Sequence, residues 1–168
     1  MSIPRLEFAR KQIAFARGYT LTLLEDVGDD DWFRRPGDCP THLAWQVGHL
    51  TMAQYMLTLF RLRGKQDEDA DFITKSYLRR FLKGTEPKAD ADAYPSPEEI
   101  LSTLAAVHDH VLRELEDYPD DQLDEPVVEP WAVSANRFGS LIFCAQHEML
   151  HAGQIGLLRR ALGKSPIR

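Results

Sequence analysis

Apolar positions recur along this chain in steps of three and four, the period of amphipathic helices rather than of strands. Leu6, Ala9, Ile13, Ala16, Thr20, Leu23 and Val27 make one such stripe and predict a first helix over residues 4–27, stopped by Gly28. Leu43, Val47, Leu50, Ala53, Leu57 and Phe60 predict a second over 41–60. Ile100, Leu104, Val107, Val111 and Leu115 mark a third, ended by Tyr118-Pro119. Its start is well signposted: Ser96 as N-cap, Pro97 at the first helical position and Glu99 at the third. The fourth runs from Asn136 to Gly163 through Phe138, Leu141, Ile142, Ala145, Met149, Leu150, Leu157 and Leu158. Asn136 suits its N-cap, Arg159 and Arg160 suit the negative end of its dipole, and Gly163 suits its closure.

The connections differ in kind. Residues 29–36 read as a turn, with Trp32 and Phe33 folding back onto the core. Residues 64–95 are charged and hold two prolines, and Phe72–Leu82 is their one short amphipathic piece. Residues 120–135, with Trp131, read as an irregular loop. The chain therefore predicts an all-α fold: one domain over residues 1–168, a four-helix bundle running up-down-down-up. A long crossover between helices two and three carries a short extra helix.

Composition narrows the function classes. The 168 residues suit one domain with a sizeable core, and 43 % hydrophobic with 27 % charged is an ordinary globular balance. A net charge of −6 disfavours a nucleic-acid surface, which needs a basic footprint. The acidic clusters at 29–31, 67–71 and 117–125 read as solvated loops. No run approaches the ~20 apolar residues of a membrane span. The charged N-terminal stretch has no secretory signal pattern, and Cys39 and Cys144 do not make a disulfide framework. These features place the protein in the cytoplasm with free thiols.

Candidate chemistry sits on the fourth helix. Ser140, Cys144, His147, His151 and Gln154 interrupt its apolar pattern at helical steps. His147 and His151 are i and i+4, one turn (~5.4 Å) apart on one face, which lets two imidazoles reach one metal ion. The competing reading is two core histidines with hydrogen-bonded rings. Phe143, Leu150 and Leu157 beside the stripe argue against a solvated edge. For a third ligand the second helix offers His49, on one face with His42, Trp45, Met52 and Met56. His42, at the helix start, reads as a capping or surface residue. His108-Asp109-His110 on the third helix reads as a solvated edge, with at most one imidazole facing inward.

Two other metal readings share these letters. His147-Glu148-x-x-His151 spells the zincin peptidase signature, with Glu148 as general base. After His151, however, the chain AGQIGLLRRALGKSPIR contains no ligand-type residue to complete that site. Cys39-x-x-His42 with Cys144-x-x-His147 would make a closed, catalytically silent structural zinc site.

His49 within GHL, the long crossover and HEMLHAGQIGLLRRALG together resemble the DinB-like (YfiT-like) metalloprotein superfamily, over roughly Arg5 to Gly163. The resemblance implies a four-helix bundle, often dimeric, with one divalent metal held by His49, His147 and His151. Characterised relatives include thiol-dependent S-transferases and a maleylpyruvate isomerase. It thus implies a low-molecular-weight thiol as nucleophile and a small electrophile as substrate; charge and the lack of an apolar span leave no nucleic-acid or membrane partner expected. Imidazole ligands suit Zn, Ni, Fe or Cu, and Mn also stays open. Gln154, one turn past His151, reads as a contact for ligand or water, or else as helix packing. Glu148 reads as a second contact to the site or a plain surface Glu. Trp45 and Trp131 read as pocket walls or as packing anchors.

Overall fold

The structure is a computed structural model, described here for residues 3–129 and 133–167. Five α-helices carry it: α1 (Arg5–Leu24), α2 (Leu43–Tyr55), α3 (Lys75–Arg80), α4 (Pro97–Glu114) and α5 (Arg137–Ala161). Short 3-10 turns decorate the connections, and the described residues contain no strand, only an isolated bridge between Pro126 and Asn136. No helix among the described residues is long and apolar enough to cross a membrane. Trp131 lies outside the described residues.

Local signals act where the sequence places them. Ser96 Oγ accepts the Glu99 amide at 3.1 Å, and Asn136 Oδ1 accepts the Gly139 amide at 2.8 Å. Each satisfies a donor that a helix start leaves without an intrahelical partner. Gly163 takes the left-handed φ of 87° that closes α5. The short crossover helix is only Lys75–Arg80, capped by the Thr74 hydroxyl on Tyr77 N at 3.1 Å. α2 continues through a π turn, Met56–Phe60, and a last α turn, Arg61–Arg63. Ser140 of α5 donates to the Leu57 carbonyl at 2.6 Å, fastening α5 to that irregular turn.

α1 packs along α5, and α2 packs against both α4 and α5. Ile13 and Leu23, Val47 and Leu50, Leu104 and Val107, Leu141 and Ile155 supply the buried core from these four helices. Trp32 folds back as expected and is buried, with its carbonyl accepting Ala44 N at 2.9 Å.

Two expectations fail. The inward face of α5 is Leu141, Cys144, Glu148, Ala152, Ile155 and Leu158, whereas Met149, Leu150 and Leu157 face solvent. The helix is apolar on more than one side, so periodicity alone does not choose which side turns inward. Asp69, expected in a solvated loop, is buried: Arg63 bonds it at 2.7 Å and the Tyr55 hydroxyl at 2.8 Å. The crossover is thereby tied to the end of α2 rather than left loose.

Candidate metal centre

His49 on α2 and His147 and His151 on α5 converge. One ligand-type nitrogen from each lies within 4.8 Å of the others, a group that can hold a metal ion. Ring centroids are 5.3 Å (His49–His147), 4.8 Å (His49–His151) and 4.5 Å (His147–His151) apart. Three atoms within 4.8 Å of one another share a point no more than about 2.8 Å from each. Ring movements of at most about 0.8 Å would bring all three to the ~2.0–2.1 Å of a metal–imidazole bond.

The hydrogen bonds around the rings fix which nitrogen is free. His49 Nδ1 lies 2.7 Å from the Phe81 carbonyl oxygen. A carbonyl only accepts, so Nδ1 carries the proton and the lone pair sits on Nε2. His151 Nδ1 lies 2.6 Å from Gln46 Oε1, and Gln46 Nε2 donates to Thr41 Oγ1 at 3.1 Å; with the amide oxygen facing the ring, Nδ1 carries the proton. Two of the three imidazoles thus have their outer nitrogen anchored, the arrangement that orients metal-binding histidines. Trp45 stacks on His49 at 4.8 Å and 8° and donates its indole N–H to Thr85 Oγ1 at 3.0 Å. It is therefore both wall and anchor. His49 is buried while His147 and His151 are half-buried, so the group reaches solvent on the α5 side.

Electrostatics suits a cation. Burial lowers the His49 pKa against a smaller raising effect from the Phe81 carbonyl. Burial, with His49 nearby, brings His147 down to about 4, and burial with both neighbours brings His151 down to about 3. All three rings are neutral at pH 7, with lone pairs available.

The other candidates separate cleanly. His42 is fully buried and uses both nitrogens: Nδ1 accepts Trp45 N at 3.1 Å as the N-cap of α2, and Nε2 donates to Lys88 O at 2.8 Å. It is a cap, as read, but not a surface one. His108 turns inward, bonded through Nδ1 to Gln54 Nε2 at 2.9 Å, while His110 stacks on Phe72 at 4.0 Å. The solvated edge is therefore only Asp109. The two-cysteine zinc reading is overturned: among the described residues the converging donor group contains neither cysteine. Cys144 is buried in the core, and burial pushes its thiol pKa up. Gln154 is exposed.

Glu148 is neither a surface residue nor free to act as a base. Arg17 Nε holds Oε1 at 2.7 Å and Arg17 Nη2 holds Oε2 at 3.3 Å, with both side chains 3 % exposed. Arg17 also donates to Gln54 Oε1 at 2.8 Å and to Leu104 O at 2.9 Å. One guanidinium from α1 thus joins α2, α4 and α5 in the core. Sequence reading missed Arg17, Gln46, Gln54 and Phe81, none of which carries a local signal. Gly48 did carry one. A glycine inside a helix is unfavourable, and here a methyl group would overlap the Phe81 ring.

The fold has a solved counterpart: the crystal structure of a conserved protein from Enterococcus faecalis superposes with a TM-score of 0.75 at 14 % identity, covering 97 % of this chain and 100 % of that one. No curated protein sequence matches the chain. The DinB superfamily model matches residues 12–155, a span that includes all three converging histidines, and the chain belongs to that superfamily.

Proposed function

We propose that this protein is a divalent-metal-dependent enzyme of the thiol-dependent S-transferase type, acting on a small electrophile. The observation that carries the reading is the convergence of His49, His147 and His151 with two Nδ1 atoms already hydrogen-bonded. On this reading the chain is a single domain in which α1, α2, α4 and α5 form an up-down-down-up bundle. The metal site lies between α2 and α5.

A divalent ion bound by three neutral imidazoles keeps its full charge and favours deprotonation of a coordinating thiol. The protein's own contribution is orientation and shielding. Phe81 and Gln46 aim the two Nε2 lone pairs, Trp45 covers one face of His49, and Gln154, exposed one turn past His151, is assigned on this reading to contact an arriving ligand. Partial exposure of His147 and His151 leaves room for an added ligand, which favours an enzyme over a closed structural site. A peptidase reading has no support, because the Glu148 carboxylate is engaged by Arg17.

The reading includes a cytoplasmic homodimer. Its candidate surface is the outer side of α1 and α5, where Phe8, Phe15 and Leu150 line an apolar groove of about 690 Å³. The test of the enzyme reading is metal analysis of the purified protein with a screen of thiols against small electrophiles. Metal near one equivalent and thiol-dependent turnover, both lost in His147→Ala, are expected. Full turnover in the metal-free protein would refute it.

A further inference from the structure

The N-cap of α2 and two of its side chains bond the crossover in matched antiparallel register. His42 meets Lys88 O at 2.8 Å, Trp45 meets Thr85 Oγ1 at 3.0 Å, and His49 meets Phe81 O at 2.7 Å. Each helical step of three or four on α2 is answered by the same step backwards on the crossover. The segment from Phe81 to Lys88 is therefore a strap fixed along its inner side. Thr85 Oγ1 also donates to Leu82 O at 2.8 Å, and the Tyr94 hydroxyl accepts Lys88 N at 2.7 Å, so the turn within the strap is held too.

The strap's other side borders a cleft of about 350 Å³, lined by Arg79, Arg80, Thr85, Glu86, Lys88 and Tyr94 with Ala93. Its charge is out of keeping with the rest of the molecule. From position 75 to 94, the span that supplies the lining, the chain carries Lys75, Arg79, Arg80, Lys83 and Lys88 against Glu86, Asp90 and Asp92, in a protein of net charge −6. Arg79, Arg80 and Lys88 are exposed and form no ion pair among the described residues. Elsewhere, the arginines at 5, 17, 34, 63, 137 and 159 are each paired with a carboxylate, while Arg10, Arg35, Arg113 and Arg160 form no ion pair among the described residues but do not share one concavity. Unpaired cations around one concavity repel one another and focus a positive potential into it. Guanidinium groups match the paired oxygens of phosphate and carboxylate.

We propose that this cleft is a binding site for a small anion carrying two or more negative charges on phosphate or carboxylate groups. Arg79 and Arg80 take the charged oxygens, Lys88 adds a third cation, and the Thr85 and Tyr94 hydroxyls lie within the same wall. The strap preorganises the cleft, so binding need not order the chain first. The site stands independently of the metal reading. It adjoins the histidine group through Thr85, which holds the indole stacked on His49.

The test titrates metal-free protein with inorganic pyrophosphate and, separately, with succinate, in about 0.15 M salt where diffuse surface attraction is largely screened. Calorimetry and tryptophan fluorescence are the readouts. Saturable binding of at least one probe is expected, weakened about tenfold or more in Arg79→Gln/Arg80→Gln. A Lys11→Gln/Arg160→Gln protein, which loses the same charge from α1 and α5, should bind as wild type does. Pyrophosphate alone assigns a phosphate ligand, and succinate alone a carboxylate one. Should the Arg79/Arg80 protein lose helicity, Lys88→Gln applies the same test at one position. No saturable binding of either probe, or equal weakening in the control protein, would overturn the proposal.

Discussion

His49 donates its Nδ1–H to the carbonyl oxygen of Phe81, 2.7 Å away and 32 residues later in the chain. The ring of the same Phe81 packs on the backbone of Gly48. One crossover residue thus aims the imidazole and occupies the space that the neighbouring glycine leaves open. Gly48→Ala is expected to push Phe81 off α2, at a cost of about 1–3 kcal/mol for overpacking. Metal affinity should fall with it, by about 10–100-fold, the usual effect of losing an outer partner of a ligating histidine. Thermal unfolding and metal titration of the variant measure both; unchanged affinity alongside reduced stability would separate Phe81 from the site.

Gln46 allows a cleaner form of the same question, because its oxygen bonds His151 while its nitrogen bonds only Thr41. Gln46→Leu should keep the helical circular dichroism of the wild type and bind metal about 10–100-fold more weakly. Competition against a chelator of known affinity reads the change. Wild-type affinity in this variant would mean that His151 needs no orienting partner.

The metal-free protein should weaken in acid through its histidines. His147 titrates at about 4 and His151 at about 3 in the fold, against about 6.5 in an unfolded chain. Their folded pKa values are depressed, so the unfolded chain binds more protons across that window. Their contribution is complete above about pH 6.5 and is lost as the pH falls towards 4 and then 3, at up to roughly 1.4 kcal/mol per unit for each group. Urea unfolding of wild type and of His147→Gln/His151→Gln across this range compares the two slopes. A wild-type profile no steeper than that of the variant would contradict the assignment.

Arg17 and Glu148 make a buried pair whose halves cannot be removed singly without leaving an uncompensated charge. Arg17→Met is expected to cost about 3–5 kcal/mol, whereas Arg17→Met/Glu148→Met should recover most of that loss. Chemical denaturation of the three proteins measures it. The same contact changes what Glu148→Gln reports: lost activity in that protein would follow from an unpaired Arg17 as readily as from loss of a base. A Glu148→Gln protein as stable as wild type would remove this objection.

Phe15, Leu150 and Leu157 are 64 %, 63 % and 57 % exposed on α1 and α5. If this face joins two copies, Phe15→Glu/Leu150→Glu should sediment as a monomer while the wild type sediments as a dimer. A dimeric variant would place the interface elsewhere.

Much of this protein was legible in its sequence. Stripes at steps of three and four located the long helices, and Ser96, Asn136 and Gly163 marked ends that the structure keeps, because caps and periodicity act within one or two turns. His147 and His151 were legible for the same reason: i and i+4 share a face in any helix. Three things needed the tertiary structure. The inward side of α5 was decided by Glu148 meeting Arg17, since a helix apolar on several sides has no single face for its pattern to bury. His42 and His49 share a helix face and a residue type. Their partners separate them: Trp45 N at the helix start and Lys88 O of the crossover use both nitrogens of His42, whereas Phe81 O takes Nδ1 of His49 and leaves Nε2 free. Gln46 and Phe81 became visible only once packing set α5 and the crossover against α2, because a hydrogen bond across 105 or 32 residues leaves no trace in local pattern.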